Sequence, residues 1–165
     1  ALQDAGVSVD PTLLLQGTFT PASGHQCATT LFSRNRRDWP TAVFVANDQM
    51  AYAVLEVAEQ QSIRVPEEIA VVGFDDNSFS AHIRPSLTTI QQPFSEMGRK
   101  ALEVLITMID QNRHLEKGAQ KRSTQQGSAR SFENIQGGSS LRIQLPTQLI
   151  VRASSGAPRP LEIGL

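Results

Sequence analysis

The chain has 165 residues, of which 39% are hydrophobic, enough for one domain with a real core. Its 15 Lys and Arg against 16 Asp and Glu give a net charge of -1, which removes any bulk basic footprint for direct DNA binding. A single cysteine, Cys27, excludes an internal disulfide, and no apolar run nears the roughly 18 residues of a membrane span, so the sequence reads as soluble and cytoplasmic with no membrane partner.

The opening Ala1-Leu2-Gln3-Asp4-Ala5-Gly6 reads as the last turn of a helix closed by a C-cap glycine, and so as part of a longer protein. Asp10-Pro11 marks a turn, residues 12–16 a short strand, and residues 22–36 a helix that ends ahead of Trp39-Pro40. The run 41–46 (TAVFVA) is the next strand. Asp48 then supplies the N-cap of a helix over 49–62, whose Met50, Ala51, Val54, Leu55 and Ala58 fall on one stripe. Residues 69–74 (IAVVGF) form another strand. Such short continuous apolar runs predict strands buried on both faces, and the alternation of strand and helix predicts right-handed crossovers in a parallel sheet.

Residues 87–90 are β-rich, and Pro93 opens a strong helix over 94–109 carrying Met97, Ala101, Leu105 and Met108. A last strand spans 141–151, interrupted by Pro146. Between them, residues 116–140 are rich in Gln, Ser, Gly, Lys and Arg and read as a mobile surface loop, while the tail 154–165, with Pro158 and Pro160, reads as irregular.

Two strands end alike. TAVFVA gives way to Asn47-Asp48, and IAVVGF to Asp75-Asp76. In parallel sheets the ligand crevice lies beyond the carboxyl ends of the strands, so Asn47 and Asp75 should look into one pocket, with Phe19 beyond the end of the strand at 12–16. A carboxylate, a carboxamide and an aromatic ring suit a polyhydroxylated or heteroaromatic small molecule: Asp75 accepts from vicinal hydroxyls, Asn47 both donates and accepts, and Phe19 covers a sugar face or stacks on a base. Turn and cap chemistry competes with this reading at Asn47, Asp75 and Asp76, and most strongly at Asp48; core packing competes at Phe19. His25, His82 and His114 stand far apart with no partner at metal-ligand spacing, and no phosphate loop, nucleophile elbow or Cys-His pair supports a metal, a cofactor or catalysis.

Three blocks occur in order: PTAVFVANDQMAYAVLEVAEQQSIRVPEEIAVVGFDD, RPSLTTIQQPFSEMGRKALEVL and LPTQLIVRAS. They resemble the carboxy-terminal half of the LacI/GalR family of transcriptional repressors, continuously over residues 13–109 and again over 145–153. The resemblance implies an α/β, parallel-sheet fold of the type I periplasmic-binding-protein kind, mainly its carboxy-terminal subdomain. Residues 1–153 would form part of an effector-binding domain, with the DNA-binding helix-turn-helix and the amino-terminal subdomain sheet outside this chain. Helix 94–109 would belong to that other subdomain.

What the family implies for residues is carried over position by position. The first Asp of GFDD is Asp75, the Asn of AND is Asn47, the aromatic residue of GTFTPASG is Phe19, the residue before the proline of TTIQQP is Gln92, and Phe94 follows that crossover. These are the effector-binding candidates. Tyr52 and Ile83 are implied at a homodimer interface. Phe19, Asn47, Asp75 and Gln92 also resemble the set in ribose-binding proteins, which leans the effector towards a pentose or related sugar, with a purine or nucleoside still open. The implied protein is a sugar-responsive repressor that reaches operator DNA through an amino-terminal domain. The rival is a periplasmic sugar-binding receptor of a transport system.

Overall fold

The computed structural model describes residues 4–123 and 142–156, as backbone alone at 111–112 and 114–123. They form two units, one of residues up to Gln92 joined by those from Thr147, the other of 93–146.

The first unit is built on a four-stranded sheet in the order β1 (Ala42–Phe44), β2 (Ala70–Asp75), β3 (Thr88–Gln91) and β4 (Gln148–Ile150). The first three strands run parallel and β4 is antiparallel to β3, Gln91 facing Gln148. Helix α1 (Pro21–Phe32) starts where Thr20 accepts the Ser23 N–H, with Pro21 in its first turn. Helix α2 (Asp48–Gln60) links β1 to β2. Its predicted stripe of Met50, Ala51, Val54, Leu55 and Ala58 is buried as expected, packing with Leu31 and Phe32 of α1 and with Ile69 and Val71. Gly24 permits the close crossing of the helices, since a Cβ there would lie 2.7 Å from the Met50 carbonyl oxygen.

The two faces of the sheet differ, contrary to the expectation of strands covered on both sides. Register puts Val71, Gly73 and Thr89 on one face, all buried. Phe44, Phe74 and Leu149 fall on the other, where Phe44 is 62% exposed and meets Phe74 edge to face. The apolar runs are continuous in sequence, but the helix-facing side is the more deeply buried; on the other face Thr88 is buried, Val72, Phe74 and Ile90 are half-buried, and Phe44 and Leu149 are exposed.

Four further boundaries depart from expectation. Residues 12–16 are no strand: the Asp10 side chain accepts the Thr12 N–H and Pro11 starts a 3-10 turn, while Leu13 and Leu15 pack against the core outside the sheet. Helix α1 ends at Phe32, not residue 36, and the chain folds back as the Trp39 indole donates to the Arg34 carbonyl at 3.1 Å and packs on Phe32. The last strand shrinks to three residues after Pro146. At the proposed tail, Ser154 is buried in a 3-10 turn that ends on Gly156 at φ +64°; residues 157–165 lie outside the described residues.

In the second unit, helix α3 (Phe94–Ser123) runs beyond the predicted 94–109. Residues 116–123 of the proposed loop are therefore helical, and the rest of that loop lies outside the described residues. Phe94, Met97, Leu105 and Met108 are exposed on it. No helix among the described residues is long and apolar enough to cross a membrane.

Candidate functional site at the strand ends

Backbone strain in the first unit falls mostly on the candidate segments. Four described non-glycine residues have positive φ, and three of them are Phe19 (60°), Asp75 (116°) and Asp76 (54°). Such conformations cost about 1–3 kcal/mol each and persist only where surrounding contacts enforce them. Here the contacts are explicit. The Asp76 N–H donates to Thr89 Oγ1 at 3.3 Å and the Asn77 N–H to Asp48 Oδ2 at 2.8 Å. The Asp76 carboxylate accepts from Arg152 Nη2 at 2.7 Å and from Gln91 Nε2 at 2.8 Å.

Asp75 is treated differently. Gln92 Nε2 donates to its Oδ1 at 2.6 Å, while Oδ2 has no hydrogen-bond donor among the described residues. Gln92 thus orients a carboxylate whose second oxygen remains available, at the carboxyl end of β2 where a ligand site was expected.

The N-cap role read for Asp48 falls to Asn47. Asn47 is the N-cap of α2, its Oδ1 accepting the Met50 N–H at 2.9 Å, and its Nδ2 donates to the Phe19 carbonyl at 3.0 Å. That bond holds the turn at Phe19, which is 64% exposed and so is not packed in the core. Asp48 caps nothing. It is fully buried and accepts from Asn77, Ser80 and Thr89. Only the three-dimensional approach of those segments reveals this.

The structure therefore yields two hydrogen-bonded pairs, Phe19 with Asn47 and Asp75 with Gln92, joined through Asp48 and its donors. Phe94 opens α3 in the second unit and is exposed. A surface groove of about 520 Å³ lies elsewhere, lined by Tyr52, Glu56, Asn77 and Phe79 among others, and by none of those four residues. Tyr52 is half-buried there, its hydroxyl 2.7 Å from Ser80 Oγ and its ring edge to face with Phe79. Burial raises the phenol above its ordinary pKa, with the Ser80 hydrogen bond opposing. Tyr52 and Ile83 both pack against the core cluster. Among the described residues no group of three or more His, Cys, Asp or Glu side chains is placed to hold a metal ion.

Residues 1–127 match the model of the periplasmic binding protein-like domain. The chain is 30% identical over 154 residues to the HTH-type transcriptional repressor PurR of Haemophilus influenzae, covering 93% of this chain and 39% of that protein. PurR of Aliivibrio fischeri is 39% identical over 111 residues, 67% of this chain and 33% of the relative. Among solved structures, a transcriptional regulator CelR–cellobiose complex superposes with a TM-score of 0.72 at 32% identity, over 93% of this chain and 39% of that one. The chain thus spans about two fifths or less of the length of these proteins, which are named as transcriptional repressors or regulators. With the domain match over most of its length, the chain belongs to the periplasmic binding protein-like domain family, as the carboxy-terminal part of a LacI/GalR-type regulator's effector-binding domain.

Proposed function

We propose that this chain is part of the sensor of a transcriptional repressor, and that Asp75, oriented by Gln92, grips the hydroxyls of a sugar while Phe19 covers the sugar's apolar face. The observation that carries the reading is the Asp75 carboxylate itself, held at the end of β2 in a positive-φ turn with one oxygen bonded by Gln92 and the other open to a donor. Asn47, already fixed by its cap and by Phe19, keeps a spare N–H for a ligand oxygen. The cellobiose of the CelR complex favours a sugar over a nucleoside, and a pentose remains within the reading. Repressors among the relatives favour a cytoplasmic regulator over a transport receptor or an enzyme.

In this reading the full-length protein is a homodimer that meets operator DNA through an amino-terminal domain, and the ligand biases one of two arrangements of the sensor. A coupling of about 1–3 kcal/mol changes operator affinity by one or two decades. Calorimetry on the full-length protein with cellobiose, D-glucose, D-ribose and adenosine tests it. Two hydrogen bonds to a carboxylate, each worth about 1.5 kcal/mol or more, imply that Asp75→Ala weakens binding about 100-fold. Unchanged binding in that variant refutes the site, and tighter binding of adenosine than of every sugar refutes the ligand class.

A further inference from the structure

Asp48 carries a load that helix capping does not explain. Asn47 caps α2, and no N–H of that helix donates to the Asp48 side chain among the described residues. Yet the carboxylate is 0% exposed and accepts three hydrogen bonds: from the Asn77 N–H at 2.8 Å and Ser80 Oγ at 2.6 Å on Oδ2, and from Thr89 Oγ1 at 2.5 Å on Oδ1. Thr89 Oγ1 in turn accepts the Asp76 N–H. Both peptide N–H groups that follow Asp75 therefore end on one buried carboxylate, one directly and the other through a single hydroxyl. Gly73 leaves room for this, because a Cβ there would stand 2.4 Å from Asp48 Oδ1.

We infer that Asp48 is a positioning residue of the ligand site: it pins the positive-φ turn at Asp75-Asp76 and so sets the direction in which the Asp75 carboxylate meets a ligand. The inference rests on the reading of Asp75 as a ligand-binding residue. Its physical content is that a strained turn needs a rigid anchor, and a buried acceptor bonded by three donors from two segments, residues 77–80 and β3, cannot relax into solvent. The Ser80 bond lies on the branch that leads to Tyr52 and supplies an internal control, since removing it spares both turn amides.

The test uses the full-length protein and three variants. Thr89→Val is nearly isosteric and deletes the hydroxyl, Thr89→Ser restores it, and Ser80→Ala removes only the other branch. Hydrogen exchange of the peptide containing Asp76 and Asn77 is read by mass spectrometry, and cellobiose affinity by calorimetry. Thr89→Val should speed exchange and weaken binding by about tenfold each, the loss of one shielded hydrogen bond. Thr89→Ser should return both close to wild type, and Ser80→Ala should lower the thermal midpoint while leaving both near wild type. Wild-type exchange in Thr89→Val overturns the inference, as does an equal loss of affinity in Ser80→Ala, which would make the network merely structural. Asp75→Ala separates the two claims: if it binds cellobiose as tightly as wild type, the ligand site falls and the positioning role for that site falls with it, whatever the exchange shows. If wild type itself does not bind cellobiose, the exchange of the turn amides decides alone whether Asp48 holds the turn.

Discussion

Gly73→Ala tests the packing of the site from behind. Gly73 sits within β2 opposite Thr89, with no positive φ, so alanine meets no backbone penalty there and by propensity alone would stabilise the strand by about 0.5–1 kcal/mol. Space reverses the sign. The new Cβ would lie 2.4 Å from Asp48 Oδ1 and 2.9 Å from Leu87 Cδ2, and Asp48 and Leu87 are both fully buried with nowhere to retreat. Overpacking of this kind costs about 1–3 kcal/mol. Turning the carboxylate aside also breaks its bond to Thr89, worth about 1.5–3 kcal/mol. After subtracting the propensity gain, the expected net destabilisation is about 3 kcal/mol. Trp39, the one tryptophan of the chain, packs 5.2 Å from Phe32 and reports on this unit, so urea unfolding followed by its fluorescence reads the change. A variant within about 0.5 kcal/mol of wild type would mean that Asp48 does not lie against β2, and would remove the anchor from the ligand site.

Three other perturbations address separate parts of the molecule. Ser154→Ala should destabilise by about 2–4 kcal/mol in the same urea assay, because the buried hydroxyl donates to the Val71 carbonyl at 2.6 Å and accepts the Thr88 N–H at 2.8 Å, leaving two buried backbone groups unpaired; a neutral result refutes that bridge. Glu68 is held below its ordinary pKa of 4.5, first by the Arg64 N–H and then by the Arg64 and Arg36 side chains, so its stabilising contribution is full above 4.5 and lost as pH falls through the depressed value. Glu68→Gln should therefore be less stable than wild type at pH 7, with the difference closing as the pH is lowered below 4.5; a gap independent of pH contradicts the assignment. Tyr52→Asp with Ile83→Asp should reduce the full-length protein from dimer to monomer in light scattering, and an unchanged mass sinks the proposed interface.

How much of this was legible in the sequence depends on whether a residue acts through its neighbours or through distant segments. Helix α2 and strand β2 were readable because a 3.6-residue stripe and a compact apolar run are local patterns. The place of Asp75 was readable too, since strand ends in parallel sheets are where polar residues converge. Residues 12–16 misled because Leu13-Leu14-Leu15 has strand composition, whereas Asp10 and Pro11 impose a turn just before it. Which of Asn47 and Asp48 caps α2 was not decided by the sequence, in which cap chemistry competes at both and most strongly at Asp48. Both are good caps by type, and the decision falls to donors that come from Asn77, Ser80 and Thr89.

The same logic divides the adjacent pair Asp75-Asp76, which composition cannot distinguish. Successive side chains at a strand end leave in different directions, so two neighbouring carboxylates meet different surroundings. Asp76 meets Arg152, which β4 brings beside β3 and which is itself steadied by donating to the Leu87 carbonyl at 2.8 Å; Gln91 occupies its other oxygen. Both oxygens of Asp76 are thus engaged in holding the turn. Among the described residues Asp75 meets only the neutral Gln92 amide, which orients one oxygen without a paired cation to compete with a ligand hydroxyl. A sugar offers neutral donors that would displace a salt bridge only at a cost of several kcal/mol, but can bond to an unpaired carboxylate directly. The arginine and the glutamine, more than the aspartates themselves, decide which of the two acidic residues is available for binding.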